Sequence, residues 1–225
     1  MIVLSVIVLP LLSCFDGPWT DIRDGVPYRN QLQTNYCAVA CVQMWAIWDE
    51  VDESLIPQDL IADNMHINYY SNGVVPEDIE EGVGMFTGSS GYLRVAPPSN
   101  FGQDDCIAGC IASIKDFRLA IVPFKRGTHA VLAFGYQWHY DGGQRVADKM
   151  FYHDPDERVG PNKAIVAVKL KTEYFLPDAI RDSFWVVIGR YKNSTDGTAG
   201  YNVFIAEGGT FYGGPLNYDP SQPIN

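Results

Sequence analysis

Residues 36–48 read YCAVACVQMWAIW, and Gln43 is their one strongly polar member. A helix made from this stretch is apolar on every side, so it belongs at the centre of a folded unit rather than on its surface. Thr34 and Asn35 stand just before it, and either side chain can cap the free N–H groups of its first turn. Working outward, 54–65 and 77–85 read as shorter amphipathic helices, the second following Pro76, and 104–116 as a third. Beyond them the composition turns to β-type: FRLAIVPF (117–124), HAVLAFGY (129–136), DKMFYHD (148–154), AIVAVKL (164–170) and SFWVVIGRY (183–191). Helices first and strands later predict an α+β fold, with the buried helix packed on an antiparallel sheet.

The chain has 225 residues, of which 47% are hydrophobic and 13% aromatic, the composition of one large folded domain. Its 16 Lys+Arg against 27 Asp+Glu give a net charge of −11. That balance lacks the basic footprint of a nucleic-acid binder and would be repelled by an anionic membrane surface. Cationic substrates suit it better, although acidity serves solubility equally well.

Met1 to Leu12 are almost wholly apolar and uncharged. A helix needs about 20 such residues to span a bilayer, so this segment is too short. Pro10 spoils a strand, and Leu11-Leu12-Ser13-Cys14 resembles the lipobox of bacterial lipoproteins, whose cysteine is lipidated after cleavage. The resemblance implies export, with the product secreted or held at the cell envelope by a lipid on Cys14. The expected organisation is a signal segment at 1–13, one main folded domain at 14–191, and a Gly/Pro/Asn-rich extension at 192–225.

Cys37 opens the central helix. A helix N-terminus carries partial positive charge that favours thiolate over thiol, and its N–H groups can donate to a developing oxyanion. Gln31, six residues earlier, could bring a side-chain amide to the same oxygen. Taken alone, a cysteine entering an apolar helix is more often a small core residue, the reading given to Cys41 one turn further on. A nucleophile also needs a histidine with an orienting partner. The chain offers His66, His129, His139 and His153. Asp141-Gly142 is a strong signal for a two-residue hairpin turn between the second and third β-type runs. With that turn Tyr140 faces Gly143 and, counting back along the ladder, His129 faces Asp154, close enough for the carboxylate to orient the imidazole. His153 then points to the other face, His139 lies near the turn, and His66 reads as a surface side chain.

These residues together resemble papain-like cysteine peptidases, in particular the compact bacterial type related to the peptidases that trim bacteriocin leaders. VPYRNQLQTNYCAVACVQM (26–44) is similar to their nucleophile region. IPQDLIADNM (56–65) and GVVPEDIEEGV (73–83) are similar to the helices that follow, CIAGCIASIKDFRLAIVPFKRGTHAVLAFGY (106–136) to the His-bearing part, and FYHDP (151–155) to the Asp-Pro ending. The resemblance covers roughly residues 25–170. It implies Cys37 as nucleophile, His129 as general base and acid, Asp154 as orienter, Gln31 as oxyanion donor, a peptide or protein substrate, and no cofactor. Two departures stand out. Ala38 follows the cysteine where Gly or Trp is common in the family. His129 lies only 92 residues after Cys37 (129 − 37), against roughly 130 to 150 for papain and cathepsins, so a compact variant fits. Regions like the ATP-binding and membrane parts of bacteriocin exporters are not seen, so a leader-trimming transporter is not expected.

The same thioester chemistry resolved by an amine would give an acyl transferase of transglutaminase type, and an unreactive Cys37 would mark an exported binding module on a degenerate fold. Cys37/Cys41 and Cys106/Cys110 are spaced by four, unlike the two-residue gaps of common zinc motifs, so no metal is expected. If the protein is exported, Cys106 or Cys110 could pair with Cys41, a connectivity that spacing leaves open.

Overall fold

The computed structural model describes residues 18–67, 74–87, 89–96, 103–116, 118–141, 144–166, 169, 173 and 184–191. The expected signal segment at 1–13, the lipid-anchor candidate Cys14 and the extension at 192–225 lie outside the described residues. Four α-helices are described: α1 (Cys37–Trp48), α2 (Gln58–Asn64), α3 (Pro76–Phe86) and α4 (Gln103–Lys115). The strands are β1 (Trp19–Ile22), β2 (Ser89–Ala96), β3 (Ala120–Phe124), β4 (His129–Asp141), β5 (Gln144–Asp154), β6 (Gly160–Val166) and β7 (Phe184–Tyr191). They form one antiparallel sheet in the order β2-β7-β3-β4-β5-β6, with β1 pairing β4 beyond the end of β3. The fold is α+β.

Alternation along the central strands separates two cores. Leu119, Ile121, Ala130, Leu132, Trp185 and Val187 meet α1, α2 and α3 on one face; Ala120, Val122, Val131, Ala133, Val186 and Ile188 meet α4 on the other. Every residue of α1 from Ala38 to Ala46 is buried, as its all-round apolarity requires. Fully burying a side chain such as Met44 or Ile61 contributes about 1.5–3 kcal/mol, so this packing fixes where the head of α1 sits.

Three local expectations change. The helix read over 54–65 is two elements, a 3-10 turn at Glu53–Leu55 and then α2. Pro57 divides them, because it has no N–H to continue the turn and drives Ile56 out of helical dihedrals (φ −131, ψ 52). At the head of α1 the N-cap is Tyr36, with no side-chain capping bond, so neither Thr34 nor Asn35 fills that role. The β4–β5 ladder runs out to Asp141↔Gln144, one residue past the Asp141-Gly142 turn, and continues as Leu132↔His153. Among the described residues no helix is long and apolar enough to cross a membrane.

Candidate active site

His129 is the first residue of β4 and Asp154 the last of β5. In an antiparallel pair those positions lie at the same end of the sheet, and Cys37 is the first residue of α1. The three positions converge. His129 Nε2 lies 2.7 Å from Asp154 Oδ1, and the carboxylate is almost wholly enclosed. A hydrogen bond also links the imidazole to the Cys37 thiol. With Nε2 occupied by Asp154, that leaves Nδ1 for the sulfur. Asp154 Oδ1 accepts a second bond from the Asp156 N–H at 2.9 Å, which fixes the carboxylate independently of the histidine. Phe124 meets the imidazole edge to face at 5.9 Å and limits its tilt.

The electrostatics follow from these neighbours. Burial alone disfavours a charged imidazole, but the hydrogen bonds to Asp154 and to Cys37 outweigh it and lift the His129 pKa to about 9. At neutral pH His129 is therefore a cation beside the sulfur. The first turn of α1 contains no acidic side chain to oppose a thiolate. Cys37 is partly exposed, whereas Cys41, Cys106 and Cys110 are buried, and none of the four is in a disulfide. Burial first, and then the neighbouring Cys37 and Asp154, push the Cys41 thiol well up. Burial also pushes the Cys110 thiol up.

Gln31 sits in the segment leading into α1. Its Nε2 donates to the carbonyls of Gln33 (3.0 Å) and Thr34 (2.9 Å), so both amide hydrogens are engaged within the loop. Its backbone N–H donates to Pro155 O at 2.9 Å, tying this loop to the residue after Asp154. His153, on the opposite parity to Asp154, donates from Nε2 to Val26 O (3.0 Å) and accepts at Nδ1 from Asn162 N–H (3.1 Å). Those two bonds define a neutral imidazole, and burial lowers its pKa accordingly. His139 faces Asp148 at 2.9 Å, far along the hairpin, and His66 is exposed.

Two features were not anticipated. Gln58 and Gln43 are buried together behind the Gln31 loop; a lone glutamine in an apolar helix signals such a buried partner, but sequence spacing does not identify it. A cavity of about 410 Å³ opens beside the dyad, lined by Phe124, Tyr152, Asp154, Val159 and Ile165 among others. His66, Asp78 and Glu81 bring donor atoms within 4.8 Å of one another on the surface, an arrangement common among exposed acidic groups without an ion.

No protein-family model and no curated protein matches the sequence. Similar solved structures include a C39-like peptidase from Bacillus anthracis, at 12% identity and a TM-score of 0.46, which covers 77% of this chain and 100% of that one. UfSP from C. elegans is similar at 11% identity and a TM-score of 0.47, over 80% of this chain and 35% of that one.

Proposed function

We propose that the protein is a cysteine peptidase of papain-like architecture, with Cys37, His129 and Asp154 as its triad. One observation carries the reading: a partly exposed thiol at the head of a buried helix, bonded to an imidazole whose other nitrogen is held by a buried carboxylate. Structural histidines and core cysteines do not need that combination.

The Cys37 thiolate, paired with the His129 imidazolium, attacks the scissile carbonyl carbon and forms the C–S bond. The oxygen takes the negative charge and is met by the Cys37 backbone N–H, which has no intrahelical acceptor, and by the Gln31 amide once it trades a loop carbonyl for substrate. His129 then gives its proton to the leaving amine as the C–N bond breaks. Neutral again, it draws a proton from water, whose oxygen displaces the sulfur and releases the acid. Asp154 holds the ring in place and favours its charged form.

Hydrolysis of a casein or mixed-peptide substrate, followed by mass spectrometry, tests the proposal. Wild-type cleavage should disappear in Cys37→Ala, and Gln31→Ala should lose on the order of 100-fold or more in rate. Cleavage that survives Cys37→Ala overturns the assignment. Amide products formed only with added amine would identify acyl transfer instead.

A further inference from the structure

We propose that Gln58, braced by Gln43, is a positioning residue for the loop carrying the oxyanion donor; this rests on the peptidase reading above. Gln58 is 2% exposed and Gln43 6%. Gln58 Oε1 accepts from the Leu32 N–H (2.9 Å), and its Nε2 donates to Asn30 O (2.7 Å) and to Gln43 Oε1 (2.9 Å). Gln43 Nε2 in turn donates to Ile56 O (3.0 Å). The chain of amides can point only one way, because Leu32 N–H demands an acceptor at one end and Ile56 O a donor at the other.

The two loop contacts bracket a single residue. Gln58 takes the carbonyl before Gln31 and the N–H after it, the pair of bonds that a residue on a neighbouring parallel strand would supply. Gln31's own N–H points to Pro155 O, beside Asp154. The donor loop is thus clamped between the first residue of α2 and the corner that carries the triad acid. Placement at this level matters for catalysis, since a displacement of about 1 Å in a positioned group can cost about 100-fold. Gln58 touches neither Cys37 nor His129 in these bonds, so its effect should pass through Gln31.

Gln58→Met keeps the side chain's length and removes every bond. Expected are a kcat lower by about 10-fold or more with KM within about 2-fold, and faster hydrogen exchange at the Leu32 amide. The rate of Cys37 alkylation by iodoacetamide, which forms no oxyanion, should match wild type. In a Gln31→Ala background the same change should cost less than about 2-fold, since the two act as a unit. An undiminished kcat, or the full loss repeated without Gln31, overturns the inference. Should Gln58→Met not fold, Gln43→Met, which leaves Gln58 its loop bonds but removes their brace, should give a smaller loss of the same kind; an unchanged kcat there also counts against the role. A wild-type chain that cleaves no peptide defeats the peptidase reading itself, whereas wild-type cleavage with Gln58→Met at full kcat defeats this inference alone.

Discussion

Asp154→Asn removes a charge while leaving the shape of the site in place. Asp154 Oδ1 accepts from both His129 and the Asp156 N–H, and the amide oxygen of asparagine can accept both bonds. The change therefore isolates the electrostatic contribution. A hydrogen bond to a charged group contributes about 1.5–3 kcal/mol, and one pKa unit corresponds to about 1.4 kcal/mol, so the His129 pKa should fall by about one to two units. From a wild-type value of about 9 it should reach roughly 7 to 8. At pH 7 the imidazolium then makes up about half to nine-tenths of the population instead of nearly all of it, and the same loss of about 1.5–3 kcal/mol in the transition state should lower kcat/KM about 10- to 100-fold. The assay is a pair of pH titrations from 5 to 10: the ring-proton resonance of His129, and the rate of Cys37 alkylation. In wild type the upper pH limit of the reactive ion pair should lie at about 9; in Asp154→Asn that limit should move down. Stability follows the same sign. The folded pKa lies above the unfolded value of 6.5, so the stabilisation from protonated His129 is complete below pH 6.5 and is lost as pH rises through about 9. A wild-type His129 that titrates near 6.5, or titrations unchanged by the substitution, would refute the reasoning.

Iodoacetamide on the native chain near pH 7 should label Cys37 well before Cys41, Cys106 and Cys110, which should react only after unfolding; equal labelling by peptide mapping would contradict their burial. Gly135→Ala should cost about 1–3 kcal/mol in denaturant unfolding, because a Cβ there meets Ile22 Cγ1 at 2.9 Å and the Asp21 carbonyl at 3.0 Å, and backbone cannot move aside cheaply. Arg118→Ala removes the guanidinium 3.3 Å from buried Asp49 and should destabilise by about 3–5 kcal/mol in the same assay, with part recovered in the double variant Arg118→Ala/Asp49→Asn. A loss below about 1 kcal/mol would show that water reaches Asp49.

The parts of the fold legible in the sequence are those whose pattern records burial directly. The all-round apolar run of α1 required a central position, and the β-type runs at 117–124, 129–136 and 183–191 contain the central strands β3, β4 and β7, which are covered on both faces; the run at 164–170 overlaps only the end of β6, a mostly exposed edge strand. The parts missed depend on partners distant in the chain. β1 is four residues with mostly exposed side chains, and it becomes a strand because β4 outruns β3 and leaves backbone groups from Gly135 to Trp138 to be paired. β2 exists by pairing with β7 nearly a hundred residues later, a relation that its own SSGYLRVA does not encode. Gln58 is hidden for the same reason. In the sequence it is a polar residue after a proline, and only the packing of α2 on α1 brings it against Gln43 and the Gln31 loop.

The meeting of His129 and Asp154 follows from a ladder other than the one a two-residue Asp141-Gly142 turn builds. With pairing out to Asp141↔Gln144, the ladder is displaced by two positions, and carried one residue beyond Leu132↔His153 it sets Asp154 abreast of Val131 rather than His129. The displacement is even because moving a hairpin turn by one residue moves both partners of every pair together. Side chains alternate with period two, so an even shift preserves the face and turns direct neighbours into diagonal ones. Two irregularities lie between the turn and the site, at Ala133/Gly135 and Gln137/Trp138, and each moves the register by one in opposite senses, so they cancel. Diagonal side chains are still within reach of each other when one is an imidazole at the end of its strand. A one-residue slip, by contrast, would have placed His153 beside His129 and turned Asp154 to the other face. Parity, not register, is what the pairing of this histidine with this carboxylate demands.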